Sequence, residues 1–403
     1  MIKKLAAALL AMTLLFSACA AYASATFTPA EKVVAADPAY NDMSAEELYD
    51  LALKETGTIT IYSQTSLVAK VIDAFNAAYP GLKVEYFEYG TGESQEKLIQ
   101  EYETGNQTGD VILADDGTGQ WYNEFYDYGY VQAYYPTDIV AHMAEADLAY
   151  GLPVYDALNI WFWNNSQFDQ CPIKSWWDVL DKKEDGSYVY KLYIAGPSKS
   201  AGSAVFANLT LYSKELEASY LKKYGKPLEY TYDASVLNVE PNNAAYEFLY
   251  RLAQSNYTII SDGNDIVDAV GRSTETCLGF CTANKLNVAQ QNKLPVAWVT
   301  DLEPYASMHN AKYLYYVTDS DNPAGARLLI YFLMGGKDGN NSAVQTFARV
   351  GVWFMRDDTI DPAADVNLPM SQIVTVPQNM DVIYERMGSI ADFWVYWADK
   401  FAK

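Results

Sequence analysis

Apolar and polar positions alternate from Thr58 to Tyr62, with Ile59 and Ile61 on one face. The period then lengthens to that of a helix through Leu67, Val68, Val71, Ile72 and Phe75. This pattern predicts a strand followed by a helix, with Thr65 or Ser66 as its cap and Pro80-Gly81 as its stop. Leu82, Val84 and Tyr86 alternate again as a second strand. Leu98, Ile99 and Tyr102 put one stripe on a second helix, and Val111-Ile112-Leu113-Ala114 is the apolar run of a buried parallel strand. Residues 58–119 thus read as a strand–helix–strand–helix–strand unit. Open sheets of this kind bind ligands beyond the carboxyl ends of their strands. Those ends carry Ser63, Gln64, Thr65 and Ser66 after the first strand, and Asp115 and Asp116 after the third. All of them are candidate ligand-binding residues. Adjacent strand residues face opposite sides, so one of the two Asp is expected in a cleft, and Asp116 also suits a helix cap.

The same alternation of periods continues along the chain. Ser44 and Glu47 form a capping box for a short helix before the first strand. Residues 121–135 mix aromatic and acidic side chains, as a helix and turn packed on the sheet or as the lining of a cleft. Val154 to Trp163 is a dense apolar strand, read as a crossing between lobes, and Pro172 to Leu180 a short helix. A strand over 190–195 runs into Gly196-Pro197-Ser198-Lys199-Ser200-Ala201-Gly202-Ser203, which opens a helix carrying Val205, Phe206 and Leu209. A Gly- and Ser-rich loop at a helix start presents free N–H groups and a positive dipole end, which suits an anion. The terminal Gly-Lys-Ser/Thr of a nucleotide phosphate loop is missing. Helices follow at 242–255 and 263–270, and strands at 278–280, 296–299 and 313–317. Asn322-Pro323 opens an apolar helix that ends at Gly335-Gly336. The order of elements argues an α/β protein with at least two lobes of strand–helix–strand type.

Composition narrows the function. At 403 residues the chain exceeds one ordinary core. Its formal charge is −23, and loss of a leader containing Lys3 and Lys4 leaves −25. Such a surface repels phosphate backbones, which excludes nucleic acid as a partner. Basic Met1 to Lys4 precedes an apolar stretch from Leu5 to Phe16 that is too short to span a membrane. Phe16-Ser17-Ala18-Cys19 reads as a lipobox with Cys19 lipidated, while Ala21-Tyr22-Ala23 fits ordinary signal cleavage; both readings export the protein. Cys171, Cys277 and Cys281 allow at most one disulfide, and the latter two lack the neighbouring ligands of a zinc site. No metal or cofactor is expected. His142, read as a surface residue, and His309 are the only histidines. Neither stands in a catalytic pattern, and no nucleophile elbow, zincin or Walker motif is present. A secreted glycan-active hydrolase using paired carboxylates is the alternative from another class.

Several stretches, in order, resemble one family. They are TITIYSQTS followed by YPGLKVEYFEYGTG, then GDVILADDG, the strand into Asn164-Asn165, PIKSWWDVL, IAGPSKSAGSA and DNPAGARLLIYFLMGG. Together they resemble the extracytoplasmic solute-binding proteins of ABC importers, in the iron(III)- and phosphonate-type branch. The resemblance implies a type II periplasmic-binding fold: two α/β lobes, each a mixed sheet flanked by helices, joined by crossing strands. It implies a monomer without catalytic activity that closes on a solute and delivers it to a membrane permease. The expected organisation is a signal peptide (1–18), a tether (19–43), lobe one (44–155), lobe two (156–295), a return to lobe one (296–345) and C-terminal helices packing across both (346–403). In ferric-iron relatives the first-strand loop supplies a His, where this chain has Ser63 to Ser66. Their carboxylate is matched by Asp115, their anion loop by Pro197 to Ser203 with Ser198, Lys199, Ser200, Gly202 and Ser203, and a polar helix-opening residue by Asn264. Their tyrosine pair falls near Cys277 to Ala283, where no Tyr stands. The reading therefore leans to an anionic solute such as a phosphate ester or phosphonate. An organic cation of polyamine type and a ferric complex are the alternatives on the same fold. Cys19→Ala is expected to move the protein from the membrane to the soluble fraction on cell fractionation; unchanged partitioning refutes lipidation.

Overall fold

The alternating pattern is realised in a computed structural model that describes residues 30–198 and 200–402. The signal peptide, Cys19, the start of the tether and Lys199 lie outside the described residues. In chain order the strands are β1 (Ile59–Ser63), β2 (Val84–Glu88), β3 (Val111–Asp115), β4 (Val131–Gln132), β5 (Leu152–Asp156), β6 (Asn159–Asn164), β7 (Lys191–Ile194), β8 (Tyr257–Ile259), β9 (Cys277–Thr282), β10 (Val296–Trp298), β11 (Ser307–Met308), β12 (Ala311–Val317), β13 (Trp353–Phe354) and β14 (Thr375–Val376). They make two sheets. The first runs β13-β5-β12-β3-β1-β2 with β4 on β12; the second runs β14-β11-β6-β9-β7-β8 with β10 on β6. Each is mixed. β1 lies parallel to β2 and β3, whereas β12 is antiparallel to β3 and β5. β7 lies parallel to β8 and β9, whereas β6 is antiparallel to β9, β10 and β11.

Burial follows position in the sheet. Central β1 is buried at every residue, while the edge strand β2 buries Val84 alone. The helix Val68–Ala78 buries the predicted stripe of Val68, Val71, Ile72 and Phe75. Its predicted cap does not form, because the helix begins after Leu67 and has no side-chain cap, leaving Ser66 exposed. The aromatic stretch after β3 forms a π-helical turn, Trp121–Phe125, packed on the sheet, with Trp121 stacked on Tyr315 at 4.9 Å. Cys171, Cys277 and Cys281 are all free thiols.

The chain passes between sheets from β5 to β6 across Ala157 and Leu158, from β11 to β12 across His309 and Asn310, and finally from β13 to β14. Re-entry into the first sheet comes at Ala311 rather than at 296, because β10 and β11 both pair antiparallel with β6. The last helix, Met380–Phe401, touches both lobes. Phe393 packs on Tyr246 of the second lobe at 5.1 Å, and Arg386 donates to Thr210 Oγ1 at 2.7 Å. Its first turn meets the first lobe, where Asn123 Nδ2 donates to Met380 O at 3.1 Å.

One cluster ties the crossings together. The buried Asp156 carboxylate accepts from the Asn310 N–H at 2.9 Å and bonds His309 Nδ1 at 2.6 Å. His309 Nε2 meets Thr375 Oγ1 at 3.2 Å, so the third crossing joins the other two. Burial works against a charged imidazole, but the bond to Asp156 and the charges of Asp156 and Asp147 outweigh it and raise the His309 pKa. A raised folded pKa gives stability that is complete below the unfolded value of about 6.5 and lost as pH rises through the folded value. The melting temperature of the wild type, relative to His309→Gln, is therefore expected to fall as pH rises above about 6.5. A wild-type and variant difference that stays constant with pH refutes this role for His309.

Candidate functional site

A cavity of about 310 Å³ lies between the two sheets. β1 and β3 bring Gln64, Thr65 and Asp115 to it from their carboxyl ends, and β12, which runs the other way, brings Lys312 near its amino end. The second lobe contributes Asn159 at the start of β6 and Thr282, Asn284 and Lys285 from the carboxyl end of β9. The crossings add Asn310 and Gln378, and Arg349 enters from beyond the short helix Ser342–Phe347.

Asp115 and Lys312 are an ion pair at 2.5 Å, with side chains 22% and 10% exposed. Gln64 Nε2 donates to the same carboxylate at 3.0 Å, and Thr91 Oγ1 shares its one proton between that carboxylate at 3.1 Å and Gln64 Oε1 at 2.9 Å. Burial raises the Asp115 pKa, but Lys312, Gln64 and Thr91 together overcome it and hold the value below the usual carboxylate range. Asp115 is thus an ionised, satisfied acid. Burial pushes the neighbouring Tyr155 hydroxyl up to about 12, with the Arg349 charge opposing it, so Tyr155 is a neutral donor.

The remaining cations have no such partner. Among the described residues, the side chains of Lys285 and Arg349 make neither a hydrogen bond nor an ion pair, and both are half-buried. Three amides in the same cavity are also unmatched. Asn159, Asn310 and Gln378 are 4%, 6% and 6% exposed, and no side-chain hydrogen bond to a described residue satisfies them. Their amide atoms are open to the cavity rather than sealed in the protein, so they are free to bond what the cavity holds. The cleft offers cationic and amide donors around one neutralised acid.

The residues singled out by sequence divide accordingly. Gln64, Thr65 and Asp115 meet in the cavity. Ser63 does not, because it is fully buried and its Oγ accepts from the Thr65 N–H at 3.2 Å. Nor does Asp116, whose buried carboxylate accepts from the Trp121 and Tyr122 N–H groups at 3.2 and 3.0 Å and caps the π-helical turn. Burial pushes its pKa up to about 7 against those bonds. Ser203 turns inward and donates to Pro197 O. The helix Ser200–Leu209 packs so closely on this loop that a Cβ at Gly202 would lie 2.6 Å from Gly196 O. Ser198 is exposed, and the Asn264 N–H is taken by Asp262 Oδ1 at 2.8 Å, which caps the helix Gly263–Arg272 itself. Lys199 and the side chain of Ser200 lie outside the described residues. Lys285 was open to the rule that picked out Gln64, since it follows the carboxyl end of β9. Lys312 stands out as a lone charge in the apolar run AKYLYYV. Arg349 carries no local signal.

The profile of the bacterial extracellular solute-binding proteins matches residues 70–368. No curated protein matches the chain. Among solved structures, iron-bound HitA from Pseudomonas aeruginosa is similar at 15% identity and a TM-score of 0.60, covering 86% of this chain and 100% of that one. The periplasmic binding protein AfuA from Actinobacillus pleuropneumoniae is similar at 14% identity and a TM-score of 0.57, over 86% and 99%. Ferric iron-binding protein A of Mannheimia haemolytica, in an open conformation, is similar at 14% and 0.58, over 86% and 99%. These likenesses share the two-lobed fold, and the profile spans most of the chain. The chain belongs to the bacterial extracellular solute-binding protein family.

Proposed function

We propose that this chain is the solute-binding component of an ABC importer, held at the outer face of the membrane through Cys19, and that it captures a small anion between its lobes and passes it to a permease. The observation that carries the charge assignment is the pair of unmatched cations, Lys285 and Arg349, facing each other's cavity with Lys312. Guanidinium and ammonium groups bind oxyanions by charge-assisted hydrogen bonds, and the buried amides supply further donors. An organic cation would need a free carboxylate, and Asp115 is already neutralised by Lys312. A ferric ion would need several oxygen or imidazole donors. The described cluster with that chemistry, His142 with Asp357 and Asp358, stands elsewhere on the first lobe. AfuA, solved with fructose-6-phosphate, shows that the fold accommodates a phosphate ester.

A thermal-shift screen of phosphate esters, phosphonates, carboxylates, polyamines and ferric citrate tests the reading. Anions are expected to raise the melting temperature, since a ligand that binds only the folded state stabilises it. Stabilisation by polyamines or ferric citrate alone overturns the anion assignment, and hydrolysis of a glycan panel at enzyme-like rates overturns the binding-protein assignment. In calorimetry, Arg349→Gln is expected to weaken the best anion about tenfold or more, since a hydrogen bond to a charged group contributes ~1.5–3 kcal/mol. Asp115→Asn is expected to lower stability, because Lys312 loses its buried partner, while anion affinity holds or rises.

A further inference from the structure

A second chamber, of about 410 Å³, opens from the cleft on the side of the second lobe. It shares Asn159, Thr282 and Lys285 with the cleft, so the two adjoin along these three residues. Its own wall has a different character. Phe280 and Cys281 of β9 and Ala195 at the end of β7 present apolar surface, and Gly263 leaves the first turn of its helix without a side chain. Burial drives the Cys281 thiol well above its ordinary pKa, so it is a neutral, soft surface rather than a thiolate. The acid among the described lining residues is Asp262, which is exposed and has one oxygen on the Asn264 N–H at 2.8 Å.

We infer that the solute is an organic anion with one charged head and an uncharged body. The head lies among Arg349, Lys312 and Lys285, and the body fills the second chamber against Phe280, Cys281 and Ala195. This rests on the anion reading of the cleft and adds to it the shape and polarity of what the anion carries.

Size and charge order both support it. A water takes up about 30 Å³ of liquid, so each chamber has room for on the order of ten waters. A bare tetrahedral oxyanion fills only a fraction of one chamber. Cations cluster in the cleft, whereas the outer part of the second chamber has Asp262, which repels a second anionic end. Lys285 stands at the junction, where its stem covers apolar surface and its ammonium reaches the head. The gradient from positive to apolar to negative gives the solute one direction in the site.

Two homologous series test this, the n-alkylphosphonates from methyl to hexyl and the n-alkanoates from acetate to hexanoate, each titrated by calorimetry. In the wild type, affinity in the series that binds is expected to rise roughly fourfold per methylene until the chamber is full. Ala195→Leu places a side chain in the chamber away from the cations. It should erase the gain with chain length and leave the one-carbon anion within about twofold of wild type. Arg349→Gln should weaken all members of the series by the same factor. If the short anion binds and affinity stays flat with chain length, the second chamber holds no solute and the anion reading alone survives. A chain-length gain that persists in Ala195→Leu likewise overturns the placement of the body. Failure of both series to bind overturns the anion reading and this inference together.

Discussion

The fully buried carboxylate of Asp156 is the constraint from which the site follows. A charge with no exposure must be matched by partners, and here they come from the other crossings: the Asn310 N–H and His309, which in turn reaches Thr375. The sequence neighbours of these residues line the cleft. Tyr155 precedes Asp156, Asn159 follows its crossing, Asn310 lies in the second with Lys312 just after it, and Gln378 follows the third. A bond that holds the crossings in register therefore also holds the cleft floor. A solute that touches Asn159, Asn310 or Gln378 therefore touches residues at the crossings.

Local and global charge have opposite signs. The chain carries −23, yet the cleft gathers Lys285, Lys312 and Arg349 around one acid already in an ion pair. The two scales coexist because salt screens surface charge beyond about 8–10 Å, whereas half-buried groups in a cleft are screened far less. The acidic exterior thus weakly opposes approach of an anion and leaves its final contacts intact. Net charge bears on nucleic acid and solubility, and the cleft residues bear on the solute.

The fold was largely legible in sequence, because each element of the first lobe is stated locally. Helical period marks the helix Val68–Ala78, the run Val111 to Ala114 marks β3, and Asn322-Pro323 marks the helix Pro323–Leu333. The site was legible only in part. Of the residues picked by the rule of strand carboxyl ends, Gln64, Thr65 and Asp115 line the cavity, whereas Ser63 and Asp116 do not. Side chains in consecutive positions turn to opposite faces, and these two are satisfied within the fold. The composition of the Gly- and Ser-rich loop also has local causes. Gly202 is small because the helix presses on Gly196, and Ser203 bonds Pro197, although Gly202 also lines the second chamber. Asp156 and His309 stand far apart in the chain, and no pattern of local spacing links them. Lys285 and Arg349 likewise meet only through the closure of two sheets on each other.

The cavity-facing amides would make closure on an empty cleft costly. With the lobes apart, Asn159, Asn310 and Gln378 reach water through the cavity. If the lobes closed without solute, each amide would be stripped of water with no protein group to replace it, at about 1–3 kcal/mol apiece. Lys285 and Arg349 would be brought together without a counter-charge, adding like-charge repulsion. An anion removes both penalties, since its oxygens accept from the amides and its charge separates the cations. On the anion reading, the same groups would therefore make closure conditional on the solute. A cleft lined instead with self-satisfied pairs such as Asp115 with Lys312 would close as readily empty as full, and a permease would have no way to tell the two apart.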